Sequence, residues 1–387
     1  MTDSSPNRIA AIDWMRGLVM ILMAIDHASL TWNAGRLASV SAYLLDPENG
    51  GPLWVPGSPL DTVQFYTRWI THICAPTFLF LSGTSLAMSF EKRRARGMSD
   101  FELDKHLLIR AVVIFACEGL LSLMSGMAAP FLQVLYAIGA SMIAMIFFRR
   151  LPTSLLVAIG LAWLAGSELF LSHFFPIEQE GRSVFELLFF TTGRNGSLLV
   201  YYPMSHWLAM MLLGWAFGRY LLARPATDNA RQDTEKLLLL SGLSALLFWA
   251  YIRSANDYGN MGLLRDDSSV IQWLHMSKYP PALVYSLMEL GLMALLLVVF
   301  MRYERRMQGS PNPLNPLLVF GQTSLFFYML HFVLLGGSAF IITGGTNLRG
   351  LTETYIAAGA TIIFLYPVCI GYRALKRKHP RSFLQYI

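Results

Sequence analysis

Ten stretches of this chain are apolar over roughly the 20 residues that an α-helix needs to cross the hydrocarbon of a bilayer. They cover residues 9–28, 69–90, 107–128, 130–148, 151–175, 198–223, 237–253, 280–301, 314–341 and 351–374. Backbone inside lipid must satisfy its own hydrogen bonds, so only helices or closed barrels can cross. The expected fold is therefore an all-α integral membrane protein, a polytopic bundle of about ten transmembrane helices. The seventh run is the shortest, and the ninth is long enough to be tilted or broken near Gly336-Gly337. Charged residues make up 14% of the 387, against roughly 25% in soluble domains, and the mean hydropathy is +0.47. That balance excludes a disulfide-rich secreted scaffold, a disordered chain and an ordinary cytosolic enzyme. Cys74, Cys117 and Cys369 all fall in apolar runs without CxxC spacing, so neither a disulfide nor a metal site is expected.

The net charge of +6 matters through its placement. With ten spans and an internal N-terminus, only Arg36, Arg68, Arg182, Arg194, Arg253, Arg265, Lys278 and Arg349 fall outside; all the other cations lie at the inner side. Cytoplasmic loops carry the excess of Lys and Arg, so both termini are expected in the cytoplasm, at a bacterial inner membrane. Asp13 and Arg16 interrupt the start of the first run and no clean cleavage site follows, so it reads as a retained span. The outer loops 29–66, 176–197 and 254–279 are long and rich in Gly, Pro, Tyr and Trp, which suits recognition on that side. No inverted repeat stands out. The chain, 1–387, reads as one polytopic domain, and no GxxxG face is read as compelling a dimer, although a homodimer stays open.

Burying a charge at mid-bilayer costs at least about 2.5–3.5 kcal/mol, so each intramembrane ionisable group needs a reason. These are Asp13, Arg16, Asp26, His27, His72, Glu118, Glu168, His206, Glu289 and His331. Asp13 and Arg16, three apart, suit an ion pair on one helix. Arg16, Met20, Met23 and His27 share a helical stripe about 16 Å long. That is comparable to an extended pantetheine arm, although packed core has the same spacing. Asp26 and His27 point about 100° apart on a helix. Asp26 can therefore orient His27 only if the helix unwinds, and otherwise pairs with Arg68 or Lys278. His27 suits a general base near neutral pH, and equally an interfacial histidine held by a neighbour. His72 could assist or brace such a site, and His331, three residues after Tyr328, reads as a tie between helices. The three glutamates are either packing glue or the lining of a wet cavity, and His206 belongs near an interfacial aromatic belt. The basic stretch Glu91 to Lys105 anchors the inner side, and the same residues suit a nucleotide phosphate. P-loop, GxGxxG, HExxH and GxSxG motifs are absent. The scattered cations do not point to nucleic acid.

The segment RIAAIDWMRGLVMILMAIDH from Arg8 to His27 resembles the opening of bacterial membrane proteins grouped with the catalytic domain of heparan-α-glucosaminide N-acetyltransferase. The resemblance continues through FYTRWITHICAPTFLFLSGTSLAMS (65–89), QVLYAIGASMI (133–143), YYPMSHWLAMMLLGWAFG (201–218), SKYPPALVYSLMELG (277–291) and GQTSLFFYMLHFVL (321–334). The stretch 8–230 is the part that resembles the catalytic domain, and 231–387 adds C-terminal helices to the same bundle. The chain departs from the family at GQTS, where many bacterial members read GRVP, leaving no charge at Gln322. The animal enzyme's histidine lies in a somewhat later segment reading HASW, where this chain has HASLTW. The resemblance implies a transmembrane acyltransferase-like fold in which acyl-CoA enters from the cytoplasm and an acceptor is acylated toward the opposite face. Arg16 and His27 match the arginine and histidine that related membrane acyltransferases keep at the two ends of their first span.

Two functions are weighed. In the first, acetyl-CoA or another acyl-CoA is co-substrate. His27 acts as base or transient acyl carrier, and Asp26 and His72 orient it. Arg16, Arg93, Arg94 and Arg110 hold the CoA phosphates, while Arg68, Lys278 and Tyr279 face an amino sugar or glycan acceptor. In the second, the same polar groups line the path of a transporter or lipid flippase with no covalent chemistry. Membrane lipid is a partner in either case.

Overall fold

The computed structural model describes residues 9–37, 55–124, 130–176, 181–225, 227–307, 310–379 and 382–386. Residues 38–54 and 177–180, in two of the long loops, lie outside the described residues. In chain order the helices are α1 (Ala10–Trp32), α2 (Thr62–Trp69), α3 (Cys74–Arg94), α4 (Asp100–Met124), α5 (Val134–Phe148), α6 (Thr153–Phe174), α7 (Val184–Phe189), α8 (Met204–Leu222), α9 (Asp228–Ala255), α10 (Val270–Leu274), α11 (Leu283–Arg306), α12 (Pro316–Gln322), α13 (Ser324–Thr343) and α14 (Leu351–Lys378). A short sheet with order β1-β3-β2 joins β1 (Phe131–Leu132), β2 (Gly193–Asn195) and β3 (Leu198–Val200). The protein is otherwise an all-α membrane bundle.

Each of the ten apolar runs is helical, but length and hydropathy qualify seven segments among the described residues as membrane spans: 62–94 and the helices α4, α6, α9, α11, α13 and α14. The expectation of about ten also counted α5, whose 15 residues rise only about 22 Å, α8, which carries His206 and Arg219, and α1, which carries Asp13, Arg16 and Asp26. The seventh run belongs to a helix of 28 residues, because Thr227 caps a polar first turn ahead of the apolar stretch. The ninth run breaks at Thr323, not at Gly336-Gly337. Thr323 adopts φ −123°, ψ 26° and its hydroxyl donates to the Val319 carbonyl at 2.9 Å, while both glycines stay inside α13.

Polar contacts gather alternate helix ends on one side of the bundle. Arg149 at the end of α5 bonds Asp104 (2.8 Å) and Asp100 (3.3 Å) on α4, and Arg305 on α11 bonds Glu235 on α9 at 3.0 Å. Glu304 accepts from the first two amides of α1, both at 2.9 Å. A carboxylate at a helix N-terminus satisfies otherwise orphaned N–H groups. Asp13 pairs with Arg16 at 3.5 Å and accepts from Gln322, which in turn accepts from Arg373 at 3.3 Å. Helix α14 thus brings the Arg373 guanidinium to the uncharged side chain of Gln322.

The opposite faces of α3 and α8 meet backbone to backbone. A Cβ at Gly214 would collide with the Phe80 carbonyl, and one at Gly218 with Thr84. Thr84 donates to both the Phe80 and Gly214 carbonyls at 3.0 Å. Gly214 and Gly218 thus form a GxxxG pair that the sequence reading passed over, and the fold uses it within the chain, as small residues let membrane helices approach closely. Gly214→Val should therefore destabilise the protein by about 1–3 kcal/mol, read as a lower thermal midpoint in detergent. Gly336→Ala, with nothing within 4 Å of its Cβ, should leave the midpoint in place. Equal midpoints would contradict the close packing.

Candidate functional site

Helix α1 stays regular through Trp32, so His27 and Asp26 face different neighbours. His27 Nδ1 lies 2.6 Å from His331 Nε2 on α13, with the ring planes inclined by 21° and the centroids 4.9 Å apart. His331 Nδ1 sits 3.0 Å from the Phe327 carbonyl one turn earlier. A carbonyl only accepts, so His331 carries its hydrogen on Nδ1, and in the neutral ring Nε2 becomes the acceptor. His27 must then donate from Nδ1, which leaves its Nε2 as a bare lone pair. This tautomer assignment follows from the hydrogen-bond network. No carboxylate bonds either ring among the described residues, which favours the neutral pair, since a buried imidazolium needs a partner. His27 keeps 9% exposure, packs its ring 4.0 Å from that of Phe332, and has no hydrogen-bond partner at Nε2 among the described residues.

Asp26, expected to orient His27, instead accepts from Arg36 at 2.9 Å and from Arg68 at 3.5 Å. The helix does not unwind, so the partner of the His27 ring is His331. Lys278 is buried at 3% exposure, with its ammonium 5.3 Å from the Tyr279 ring centroid. The Tyr279 hydroxyl is 3.2 Å from that of Tyr202. Burial would push the Tyr279 phenol up, but Lys278 and Arg68 beside it hold it below the ordinary phenol value. His72 is fully buried, edge-on to Tyr285 with centroids 5.7 Å apart, and its backbone carbonyl accepts from the Tyr285 hydroxyl at 2.8 Å. Neither ring nitrogen of His72 has a partner among the described residues. His27, Asp26, Arg36, Arg68, His72, Lys278 and Tyr279 all lie at the end of the bundle opposite the cationic one.

At the cationic end, Arg16 donates to the Leu81 carbonyl at 3.0 Å and to Ser85. Arg110 lies in the electrostatic field of Arg16 and Arg93, and its Nε has no partner among the described residues. Arg94 leaves this group, pairing at 3.7 Å with Asp100 on the exposed surface. The stripe between the two ends is a packing seam rather than an open groove: Met20 is fully buried and Met23 nearly so. Three other intramembrane polar groups lie apart from both clusters. Glu118 accepts from the Gln133 amide at the start of α5, Glu168 ties down Gly259 and Gly262 at 2.8 and 3.2 Å, and His206 packs against Trp163. Sequence reasoning missed Arg36 and Tyr202 and cast His331 only as a helix tie. The sequence placed four histidines in the membrane, His27, His72, His206 and His331, without naming which two meet.

A family model described as the catalytic region of heparan-alpha-glucosaminide N-acetyltransferase matches residues 55–253, just over half of the 387. No curated protein matches the chain. The family match takes in Arg68, His72, Arg93, Arg94 and Arg110; Arg16, Asp26 and His27 precede it, and Lys278 and Tyr279 follow it. With the apolar helices, it carries an acetyltransferase-like function in a membrane setting. The chain belongs to the heparan-α-glucosaminide N-acetyltransferase catalytic family.

Proposed function

We propose that the protein transfers an acetyl or short acyl group from acyl-CoA, taken from the cytoplasm at the cationic end, to an amine or hydroxyl of an amino sugar or glycan on the far side of the membrane. The observation that carries this reading is the bare Nε2 of His27, fixed by the donation of Nδ1 to His331. A neutral imidazole with one nitrogen occupied as a donor and the other free is a general base in the correct tautomer. In the reaction His27 Nε2 takes the proton of the acceptor as its nitrogen or oxygen attacks the thioester carbonyl. The tetrahedral intermediate then expels the CoA sulfur, and the same proton passes from His27 to that sulfur. One C–S bond breaks, one C–N or C–O bond forms, and the base is regenerated. The growing imidazolium charge lies near Asp26, which Arg36 and Arg68 hold in ion pairs. Arg16, Arg93 and Arg110 would hold the CoA phosphates as charge-assisted donors. With Arg94 on the exposed surface, its role is reduced to steering. Both termini are cytoplasmic in this arrangement, and the setting is the bacterial inner membrane.

The test is release of free CoA, with acetylation of glucosamine, by the protein in lipid vesicles loaded with acetyl-CoA on the cationic side. His27→Ala should lower turnover by about 10²-fold or more while the thermal midpoint stays; full activity in the variant would remove His27 from the mechanism. His331 is a positioning residue in the same account. His331→Leu removes the acceptor for His27 Nδ1, which costs about 1–3 kcal/mol, or about 5–150-fold in kcat, with little change in KM. His331→Gln, which can still accept through its amide oxygen, should recover part of that loss. Equal losses in both variants would point to a purely structural role.

A further inference from the structure

Helix α9 packs closely along α11, where a Cβ on Gly242 would stand 3.0 Å from the Gly291 carbonyl. Its other flank looks across a cleft of about 820 Å³ toward α6 and α8. Leu161 and Ala165 of α6, Leu213 and Phe217 of α8, Phe248 of α9 and Leu287 of α11 line it, and no lining residue among the described ones is charged. At the His27 end the cleft stops at a tie between α6 and the turn after α9. There Tyr258 donates to the Ala165 carbonyl, and Glu168 accepts from the Gly259 amide at 2.8 Å.

Toward the cationic end the cleft leads on. Ser241, Leu238, Thr234 and Ala230, spaced three to four apart on one face of α9, run from it into a second pocket of about 150 Å³. On α8 the same path passes from Phe217 and Tyr220 to Leu221 and Arg224. This smaller pocket is charged, and its acids are already engaged. Glu304 holds the first amides of α1, and Glu235 accepts from Arg305 at 3.0 Å. Arg224 lies over the Tyr220 ring at 4.5 Å and shares one nitrogen with Asp233 at 3.1 Å. Arg231 lines the pocket with no hydrogen bond or ion pair among the described residues. Basic pockets between membrane helices suit anionic lipid headgroups.

Size decides what fills the cleft. A transmembrane helix about 30 Å long and 10–12 Å across displaces roughly 2,400–3,400 Å³, so a helix of a second copy does not fit inside. A hydrocarbon chain one leaflet deep, about 15 Å, and about 5 Å wide displaces roughly 300–400 Å³, so two chains match it. We propose that the two pockets form one binding site for a glycerophospholipid with an anionic headgroup, drawn from the leaflet at the cationic end. Its phosphate seats at Arg224 and Arg231, and its two acyl chains lie in the cleft. Apolar walls in a bilayer gain dispersion contacts from any chain that fits, so the guanidiniums select the lipid. The bound lipid joins the α9–α11 pair to α6 and α8. None of the residues lining either pocket is among those assigned to the acyl-CoA or to the acceptor.

The test is native mass spectrometry of the full-length protein with phosphatidylglycerol and with phosphatidylcholine of the same acyl chains. A phosphatidylglycerol carrying a diazirine midway along one chain maps the chains by photolabelling. Phosphatidylglycerol should bind about fivefold more tightly for each arginine that meets it, and the label should fall on cleft positions such as Leu161, Leu213 and Phe248. Arg224→Gln combined with Arg231→Gln should bring the two lipids to equal retention, and Ser241→Trp, which narrows the cleft, should lower the labelling there. Equal retention of both lipids by the wild type, which needs no variant to fold, would overturn the proposal. So would a preference that survives in the folded double variant, or label spread evenly over the lipid-facing helices. A dimer that retains no lipid and shields the cleft from labelling would assign the surface to a second copy and overturn it as well.

Discussion

The bond between His27 and His331 is the contact on which the proposed chemistry of this bundle depends, and much of the fold holds it in register. Two imidazoles joined at 2.6 Å tolerate little sliding between the helices that carry them. Helix α1 is held at both ends by the same part of the chain. At the cationic end Glu304 takes its first amides, and close approaches at Gly17 and Gly321 lock it against α12. At the other end Trp32 Nε1 donates to the Leu335 carbonyl at 3.2 Å on α13. The amide of Ala34 also donates to the Arg349 carbonyl at 2.8 Å ahead of α14. The break at Thr323 lets α12 approach α1 closely while α13 takes the direction that delivers His331 to His27.

The same physics sorts the intramembrane polar groups into two kinds. Those whose hydrogen bonds end on backbone amides are structural, because they satisfy donors that lipid would otherwise leave bare. Glu118 at the start of α5 and Glu168 beneath the Gly259–Gly262 turn are of this kind. Others keep unused capacity, the Nε2 of His27 and the ring of His72 at one end and the Nε of Arg110 at the other, the two poles that the proposed transfer across the membrane would use.

Much of this was legible in the amino-acid order. Apolar length marked every major helix, and the 100° offset between neighbouring helical residues correctly barred Asp26 from the His27 ring unless the helix unwound. The pairing of His27 with His331 was not legible, since the two are 304 positions apart and helical periodicity names a face without naming what it meets. The Arg16–Met20–Met23–His27 stripe was misleading for a related reason: a cofactor groove and a packing seam share one period, and burial alone separates them. Gly336-Gly337 looked like a hinge by composition, whereas the actual break at Thr323 depends on a side-chain bond to the backbone and on the Asn315–Pro316 start of α12. Arg36 lay just past the first span as an ordinary loop cation, and only the turn at Asn33 folds it back onto Asp26.

The most direct measurement is nitrogen NMR of the histidine-labelled protein in detergent near neutral pH, with His27→Gln and His331→Gln to assign the two rings. The account predicts that both rings are neutral, that both carry hydrogen on Nδ1, and that His27 Nε2 resonates as a bare nitrogen. A His27 ring protonated on Nε2, or held as an imidazolium, would contradict it, because no lone pair would then face the acceptor.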